Sequence, residues 1–100
     1  MNTYAICRRN GWASPQLLER AAARSRRVGD EEMPDRIRWI RSYVIEDHNG
    51  SLGTVCIYQA RDEAAVLEHA QRAGLPVDDV RRVVDTVIVR PDPVAVGTAD

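Results

Sequence analysis

Two cysteines and one histidine are the side chains of this chain that are best suited to bind a metal or to take part in catalysis. Cys7, Cys56 and His69 are far apart in the sequence, so only the fold could bring them together. Thiolate and imidazole groups are ligands of soft and borderline transition metals, and an imidazole can also carry a proton in catalysis. Glu63 and Glu68 lie close to His69 in the sequence and could assist in either role.

The same residues also have ordinary structural explanations, and the sequence leaves both open. No His-x-x-x-His or Cys-x-x-Cys spacing, which would mark a built metal site, accompanies them. Buried reduced cysteines often act as small apolar fillers, and His69 falls at the edge of a helical apolar stripe. His48 follows Asp47 at a predicted turn, where a solvated pair is the simpler account. No catalytic triad, nucleophile elbow, Walker loop or dinucleotide fingerprint is present, so nothing in the sequence indicates catalysis.

The overall composition indicates one globular domain rather than a polyanion-binding or membrane protein. The chain has 100 residues, of which 44% are hydrophobic and 29% charged, and its net charge is −1. Neither an apolar run long enough to span a membrane nor a secretory signal pattern occurs, so we expect a cytoplasmic protein with reduced thiols. The chain has 14 arginines and no lysine. This bias could serve phosphate or carboxylate recognition, but since it brings no net positive charge, GC-rich coding in a bacterial genome is the simpler explanation.

The order of strands, helices and turns predicts a ferredoxin-like fold. The dipeptide Ser14-Pro15 is a typical helix start, and Gly29 is placed to end that helix in a left-handed conformation. The dipeptide Asn49-Gly50 predicts a type I′ hairpin turn. The predicted elements are a strand over 3–9, a helix over 15–28, strands over 36–47 and 53–60, a helix over 63–73 and a strand over 80–90. This order predicts an α+β sandwich, with a four-stranded antiparallel sheet and both helices on one face. We assign residues 1–91 to the domain and 92–100 to a flexible tail.

The face of the sheet without helices is the part of this predicted fold that needs an explanation. A two-residue turn at Asn49-Gly50 would pair Tyr43 with Cys56 and place Cys7 beside Cys56 on the neighbouring strand. The residues expected on this open face are Trp39, Arg41, Tyr43, Ile45, Thr54, Cys56 and Tyr58, with Ala5, Cys7 and Arg9 of the first strand. The residues expected to face the helices are Ile6, Ile40, Val44, Val55 and Ile57.

Such an aromatic and apolar face is rarely left exposed, and three uses of it remain open. A second copy could cover it through Trp39, Arg41, Tyr43 and Tyr58, which would close a dimeric α/β barrel. A metal or small-ligand pocket could lie within or beside that interface. Single-stranded RNA could stack on the aromatic rings, but the expected basic-aromatic motif is missing and Phe is absent. We therefore expect a homodimer first, a pocket second, and no nucleic-acid partner.

Three short motifs occur in order and resemble a known protein family. They are Ser-Tyr-Val at 42–44, Cys-x-Tyr-x-Ala at 56–60 and His-Ala-x-x-x-Gly-x-Pro at 69–76. From about Tyr4 to Pro91 the chain resembles a family of small bacterial proteins of unassigned function that includes a nickel-binding member. The resemblance implies a ferredoxin-like fold, a homodimer, and nickel or another divalent ion as ligand, without an established enzymatic activity. The residues that match the family pattern are Ser42, Tyr43, Cys56, Tyr58, Glu63 and His69.

One departure from the family pattern falls on the first strand, where Cys7 stands in place of the usual acidic residue. Exchanging a carboxylate for a thiolate would change the metal preference or abolish the site. Our leading hypothesis is a non-catalytic homodimer that binds a transition metal, with nickel as first choice, or a small ligand. The expected metal ligands are His69, Cys56, Cys7, Tyr43 and Tyr58. The alternative is a small cofactor-independent enzyme of the dimeric α/β-barrel kind, a monooxygenase or isomerase with His69 or Tyr43 as proton carrier.

Overall fold

The computed structural model describes residues 1–93 and confirms the predicted order of elements. The four strands are β1 (Asn2–Trp12), β2 (Ile37–Glu46), β3 (Leu52–Ala60) and β4 (Asp79–Val83). The two α-helices are α1 (Pro15–Arg27) and α2 (Glu63–Ala73), with a π-helical turn at Val28–Glu32 and a 3-10 turn at His48–Gly50. All strand pairs are antiparallel in the order β2-β3-β1-β4, which is the ferredoxin-like arrangement. Neither helix of this part of the chain is long and apolar enough to cross a membrane.

Both helices begin at the capping side chains that the sequence indicates. The Ser14 Oγ accepts a hydrogen bond from the Leu17 N–H at 3.3 Å. The Asp62 carboxylate accepts one from the Ala65 N–H at 2.9 Å. α2 ends at Gly74, whose φ of 68° lies in the left-handed region that glycine adopts without strain. Local sequence signals therefore fix both helix starts and the end of α2.

Gly29 does not end α1 in a left-handed conformation, so that prediction is wrong. The chain continues through Gly29 in a π-helical turn, which the Met33 N–H closes on the Val28 carbonyl at 3.0 Å. Val28 and Met33 are both buried in the core between the helices and the sheet. Burial of these two side chains keeps the chain turning past the glycine, so tertiary packing overrides the local stop signal.

The β2–β3 hairpin turns at Asn49-Gly50 as predicted, but through a loop of three residues instead of two. The two turn residues have φ values of 58° and 78°. The Asp47 N–H donates to the Ser51 carbonyl at 2.8 Å, so His48 also belongs to the loop. The predicted pairing of the two strands is therefore wrong by one residue. Because side chains alternate along a strand, this shift turns every β3 side chain to the opposite face.

The observed pairing defines two faces of the sheet, the helix-covered face and the open face. Cys56 pairs with both Ile6 and Ser42, whereas Val55 pairs with Cys7 and Tyr43. The helix-covered face carries Tyr4, Ile6, Arg8, Ile37, Trp39, Ser42, Val44, Thr54, Cys56 and Tyr58. The open face carries Thr3, Ala5, Cys7, Arg41, Tyr43, Ile45, Val55 and Ile57. The expected open-face positions of Trp39, Thr54, Cys56 and Tyr58, and the expected core positions of Val55 and Ile57, are wrong.

A bulge in β2 explains why Trp39 and Arg41 lie on opposite faces although they are two residues apart. Trp39 pairs with Tyr58, but Arg41 pairs with the residue before Tyr58, so Ile40 is the extra residue. The Trp39 and Tyr58 rings are stacked, with centroids 6.1 Å apart. Trp39 and Tyr58, which were predicted for the dimer interface, therefore lie beneath the helices. Of the four predicted interface residues, only Arg41 and Tyr43 are on the open face.

β4 covers only the start of the strand predicted over 80–90, because its partner strand, β1, begins next to the residue that pairs with Val83. Val83 pairs with Thr3, one residue from the beginning of β1. Only Asn2 of β1 precedes Thr3, so β1 offers almost no further backbone to pair with the described residues after Val83. The four apolar side chains that follow are exposed, and they are Val84, Val87, Ile88 and Val89. Residues 94–100 lie outside the described residues, so the division into a domain over 1–91 and a tail over 92–100 stays a prediction.

Candidate functional site

The five predicted metal ligands are divided between the two sides of the sheet. Cys7 and Tyr43 lie on the open face, whereas Cys56, Tyr58 and His69 lie on the helix-covered side. The expected neighbours Cys7 and Cys56 therefore point in opposite directions, and both thiols are free. Residues 1–93 contain no group of three or more His, Cys, Asp or Glu side chains that could hold a metal ion. The predicted set does not fit a metal site within one chain.

His69 is a core residue whose ring already has a hydrogen-bond partner. It is 1% exposed, and its Nε2 lies 2.9 Å from the Ser25 carbonyl oxygen of α1. Because a carbonyl oxygen only accepts, Nε2 must donate and carries the proton of the neutral ring. Burial lowers the pKa of His69 below its usual value, the Ser25 hydrogen bond opposes this, and the Arg8 charge lowers the pKa further. His69 is therefore a neutral link between α2 and α1.

The carboxylate next to it in sequence, Glu68, is held by two arginines. Arg36 donates to both Glu68 oxygens, at 2.6 and 3.0 Å, and Arg72 approaches the carboxylate at 2.6 Å. The hydrogen bond from Arg36 holds the pKa of Glu68 below its usual value. These contacts tie the chain ahead of β2 to α2, and they engage both carboxylate oxygens of Glu68 with arginine.

The two tyrosines among the predicted ligands are engaged in different ways. The Tyr58 hydroxyl shares a buried hydrogen bond of 2.8 Å with Ser25 Oγ, and burial raises the pKa of Tyr58. The Tyr43 hydroxyl is on the open face and donates to the Asp92 carboxylate at 2.9 and 3.0 Å. Arg41 donates to the same carboxylate at 2.5 Å. Only Tyr58 therefore belongs to the covered side, where it also lines a cavity.

This cavity, of about 500 Å³, lies between α1 and the strands β2 and β3. It exists because the edge strand β2 extends beyond the cover of α1. Ile40 and Val44 stay exposed there, although both were expected to be covered by the helices. Much of the wall is apolar or aromatic and includes Trp12, Trp39 and Tyr58. A cavity of this size and character is typical of sites for small organic ligands.

A buried arginine, Arg8, lines the same cavity and has no negative partner. It is 2% exposed, and its Nη1 donates to the Pro76 carbonyl at 2.7 Å. Its Nη2 is buried and makes no hydrogen bond in the part of the chain that the structure describes, although the guanidinium lies near enough to the Tyr58 hydroxyl to lower the pKa of Tyr58, against the larger opposite effect of burial. Arg8 also takes part in none of the ion pairs formed by residues 1–93. Arg8 thus places in the cavity wall a guanidinium whose one unused N–H donor, Nη2, is buried.

Arg8 is the functional candidate that the sequence argument misses. The alternation that places Ile6 in the core and Cys7 on the open face also places Arg8 on the core side. A charged residue at a core position is itself a signal, because arginine is rarely buried without a partner. Among 14 arginines this one does not stand out by composition, so only its strand position could have indicated it.

Comparisons with known proteins agree with the fold and identify the family. The crystal structure of SCO4226 from Streptomyces coelicolor A3(2) is similar, with a TM-score of 0.67 over 85% of this chain and 99% of that chain. The two sequences are 15% identical, so this likeness shows the fold alone. No curated protein sequence matches the chain. A family model described as nickel responsive protein SCO4226-like matches residues 4–83 and confirms the predicted resemblance. The chain belongs to this SCO4226-like family.

Proposed function

We propose that the protein is a non-catalytic binding protein whose ligand is a small organic molecule in the cavity between α1 and strands β2 and β3. The cavity carries this proposal, because its volume of about 500 Å³, its largely apolar wall and its few polar groups are those of a small-molecule site. The stacked rings of Trp39 and Tyr58 offer a flat surface against which a planar ligand can pack.

The contacts of the titratable groups favour binding over catalysis. The enzyme alternative needs His69 or Tyr43 as proton carrier, and neither is among the described residues that line this cavity. Tyr58 does line it, but its raised pKa keeps the phenol protonated near neutral pH. Its hydroxyl is also held by Ser25. The described residues at the cavity therefore supply surface and hydrogen bonds, and no His, Asp or Glu among them is placed to move a proton.

A substitution that fills the cavity with a larger side chain tests whether ligands bind there. Ala22 lines the cavity, whereas Ala23 next to it is exposed on the outer side of α1. We expect calorimetry with 3-phenylpropionate and its neutral amide to show saturable binding to the wild type and to Ala23→Phe. Binding to Ala22→Phe should be lost, because the phenyl ring occupies the site. Equal binding to the two variants, or no saturation of either compound below about 10 mM, contradicts the proposal.

We further propose that two copies pair through their open faces. Tyr43 and Ile45 expose apolar surface there, beside the exposed apolar side chains of residues 84–89. A second cavity, of about 870 Å³, lies between this segment and the open face. Soluble monomers rarely expose large contiguous apolar patches, and a second copy is the commonest cover for such a patch.

Light scattering with size-exclusion chromatography tests the pairing through two matched isoleucines. Ile45 on the open face is 41% exposed, and Ile40 at the mouth of the cavity is 44% exposed. We expect the wild type and Ile40→Asp to have the mass of a dimer, and Ile45→Asp that of a monomer. A monomeric wild type, or a dimer that Ile40→Asp breaks and Ile45→Asp does not, contradicts the proposal.

A second candidate function is nickel or other divalent-metal binding by such a pair, which the family match over residues 4–83 favours. Residues 1–93 of one chain contain no group of three His, Cys, Asp or Glu side chains that could hold a metal ion. The metal would therefore need ligands from two copies of the chain. Cys7 on the open face is the thiol in position to take part, and Cys56 on the covered face is its control. Titration of metal-free protein with Ni²⁺ should show binding that Cys7→Ser weakens and Cys56→Ser does not. Equal behaviour of both variants contradicts a shared open-face site.

We also propose a cytoplasmic protein without a nucleic-acid partner. The two cysteines are free, as in a reducing compartment, and the net charge of −1 gives no general attraction for polyanions. Cell fractionation with an antibody to the chain tests the location. A gel-shift assay with a random single-stranded RNA should show no complex at physiological salt.

A further inference from the structure

Arg8 holds a positive charge where the described chain supplies no negative one. Removing a guanidinium from water is strongly unfavourable unless it gains a charged partner. The Pro76 carbonyl, at 2.7 Å, accepts from Nη1, but a carbonyl dipole does not neutralise the charge. The buried Nη2 has no partner within residues 1–93. An anion that reached Nη2 would therefore satisfy both the unused donor and the uncompensated charge.

The surroundings of Arg8 also favour a negative ligand. Arg8 and Arg26 line the cavity together with part of Arg41, whose guanidinium lies on the open face, and none of the described lining residues is Asp or Glu. The charge of Arg41 is shared with Asp92 on the open face. Arg26 is exposed and can attract an anion at long range. Arg8 is the buried one, and the Pro76 contact fixes its position before a ligand arrives.

The cavity wall limits the kind of anion that fits. Trp39, Tyr58 and Leu75 contribute apolar surface around a single buried guanidinium. A ligand with one negative charge would be neutralised by Arg8, whereas a doubly charged phosphate would bring an excess charge into this apolar space. A carboxylate oxygen is also a strong acceptor for the N–H groups of the one unused guanidinium nitrogen, Nη2.

We propose that the cavity binds a small organic acid, whose carboxylate pairs with Arg8 Nη2 and whose planar apolar body packs on Trp39 and Tyr58. The proposal rests on the function proposed above, because it names the ligand class for the same cavity. It assigns Arg8 as the residue that decides specificity for acids over neutral molecules of the same shape.

Three probes of one shape and different charge test the proposal by calorimetry on the full chain. They are 3-phenylpropionate, its neutral amide and the cationic 3-phenylpropylamine. We expect the acid to bind about ten- to a hundredfold more tightly than the amide, as a charged hydrogen bond implies, and the amine to bind most weakly. Equal affinities for all three, or tighter binding of the amine, overturn the inference but leave the proposed function standing. Absence of binding by all three overturns both.

Variants at two adjacent arginines assign the preference to one side chain. Arg8→Met should lower the affinity for the acid to that for the amide and leave the amide unchanged. Arg9→Met is the control, since Arg9 follows Arg8 on β1 but is exposed, and it should bind like the wild type. Retention of the acid preference by Arg8→Met overturns the inference.

Two further measurements keep the test decisive if Arg8→Met does not fold. Arg8→Lys keeps the charge, but one ammonium cannot bind the Pro76 carbonyl and the ligand in the same planar arrangement, so the acid should bind more weakly than to the wild type and still better than the amide. In the wild type, affinity for the acid should fall as the pH drops through the pKa of the ligand carboxyl group, while affinity for the amide stays level. An amide-like pH profile for the acid overturns the inference.

Discussion

The two faces of the sheet carry the same types of side chain in opposite environments. The helix-covered face has Arg8, Cys56 and Tyr58, and the open face has Arg41, Cys7 and Tyr43. On the open face the arginine has a carboxylate partner, Asp92, and about half of its side chain is exposed. On the covered face the arginine is buried, and no carboxylate of the described chain reaches it. Residue type alone therefore does not locate a ligand site, because burial and partners decide which of two similar sets has unused binding capacity.

The largest expected effect that separates the faces is on stability. Ile6 on the covered face is 1% exposed, whereas Ile57 on the open face is half-buried. Ile6→Ala should lower the free energy of unfolding by about 2–5 kcal/mol, because it leaves a cavity in the core. Ile57→Ala should cost about 1 kcal/mol in a monomer, since it loses less buried area. Urea denaturation at low protein concentration measures both, and equal costs would contradict the observed faces.

The same pair also tests whether a second copy covers the open face. If two copies pair there, the cost of Ile57→Ala should grow with protein concentration, because the folded dimer is favoured by mass action. The cost of Ile6→Ala should not change in this way.

The sequence predicts the order of elements well because the signals for it are local. Ser14, Asp62 and Gly74 each cap a helix through contacts within a few residues. The faces of β3 depend instead on the length of one loop, and a third loop residue, His48, reverses them. Whether Asn49-Gly50 closes a two- or a three-residue loop is a tertiary outcome that the dipeptide does not determine.

The candidate site was harder to predict than the fold. The residues that attract attention in the sequence, His69 and Cys56, are core residues that already have hydrogen-bond partners, Ser25 on the other helix and Thr54 on the same strand. Arg8 stands out because no carboxylate of the described residues pairs with it. The lack of such a contact can be seen only in the folded chain. Strand alternation could have placed it in the core, but the cavity beside it depends on how far α1 covers β2.

The next effect concerns the two tyrosine hydroxyls. Tyr58→Phe leaves Ser25 Oγ buried without its partner at 2.8 Å, so we expect a loss of about 1–2 kcal/mol in the free energy of unfolding. Tyr43→Phe removes exposed hydrogen bonds to Asp92, and its cost should stay within about 0.5 kcal/mol. Thermal melts of the two variants measure the difference. A larger cost for Tyr43→Phe would place the tighter hydrogen bond on the open face.

A smaller, pH-dependent effect comes from His69. Its pKa is lowered in the folded chain by burial, so the unfolded chain binds a proton first as the pH falls. His69 therefore contributes stability above its unfolded pKa of about 6.5, and that contribution is lost as the pH falls toward the folded value. Between pH 7 and pH 5, the melting temperature should drop less for His69→Gln than for the wild type. The glutamine amide N–H can still donate to the Ser25 carbonyl, but it does not titrate.

His48 supplies the control for this measurement. It lies exposed in the hairpin loop, so His48→Gln should keep the pH dependence of the wild type. A His48→Gln variant that flattens the pH dependence, with His69→Gln unchanged, would contradict the burial argument.

The least perturbing comparison leaves the chain unmutated and reads the two thiols directly. Cys7 is half-buried on the open face, and Cys56 is buried under the helices. With iodoacetamide, Cys7 should be alkylated first, and mass spectrometry of proteolytic fragments gives the rate at each site. If two copies pair through the open face, the Cys7 rate should fall as protein concentration rises, while the Cys56 rate stays slow throughout, because only opening of the fold exposes that thiol. Alkylation of Cys56 as fast as that of Cys7 would mean that β3 presents the opposite face, as a two-residue turn would require.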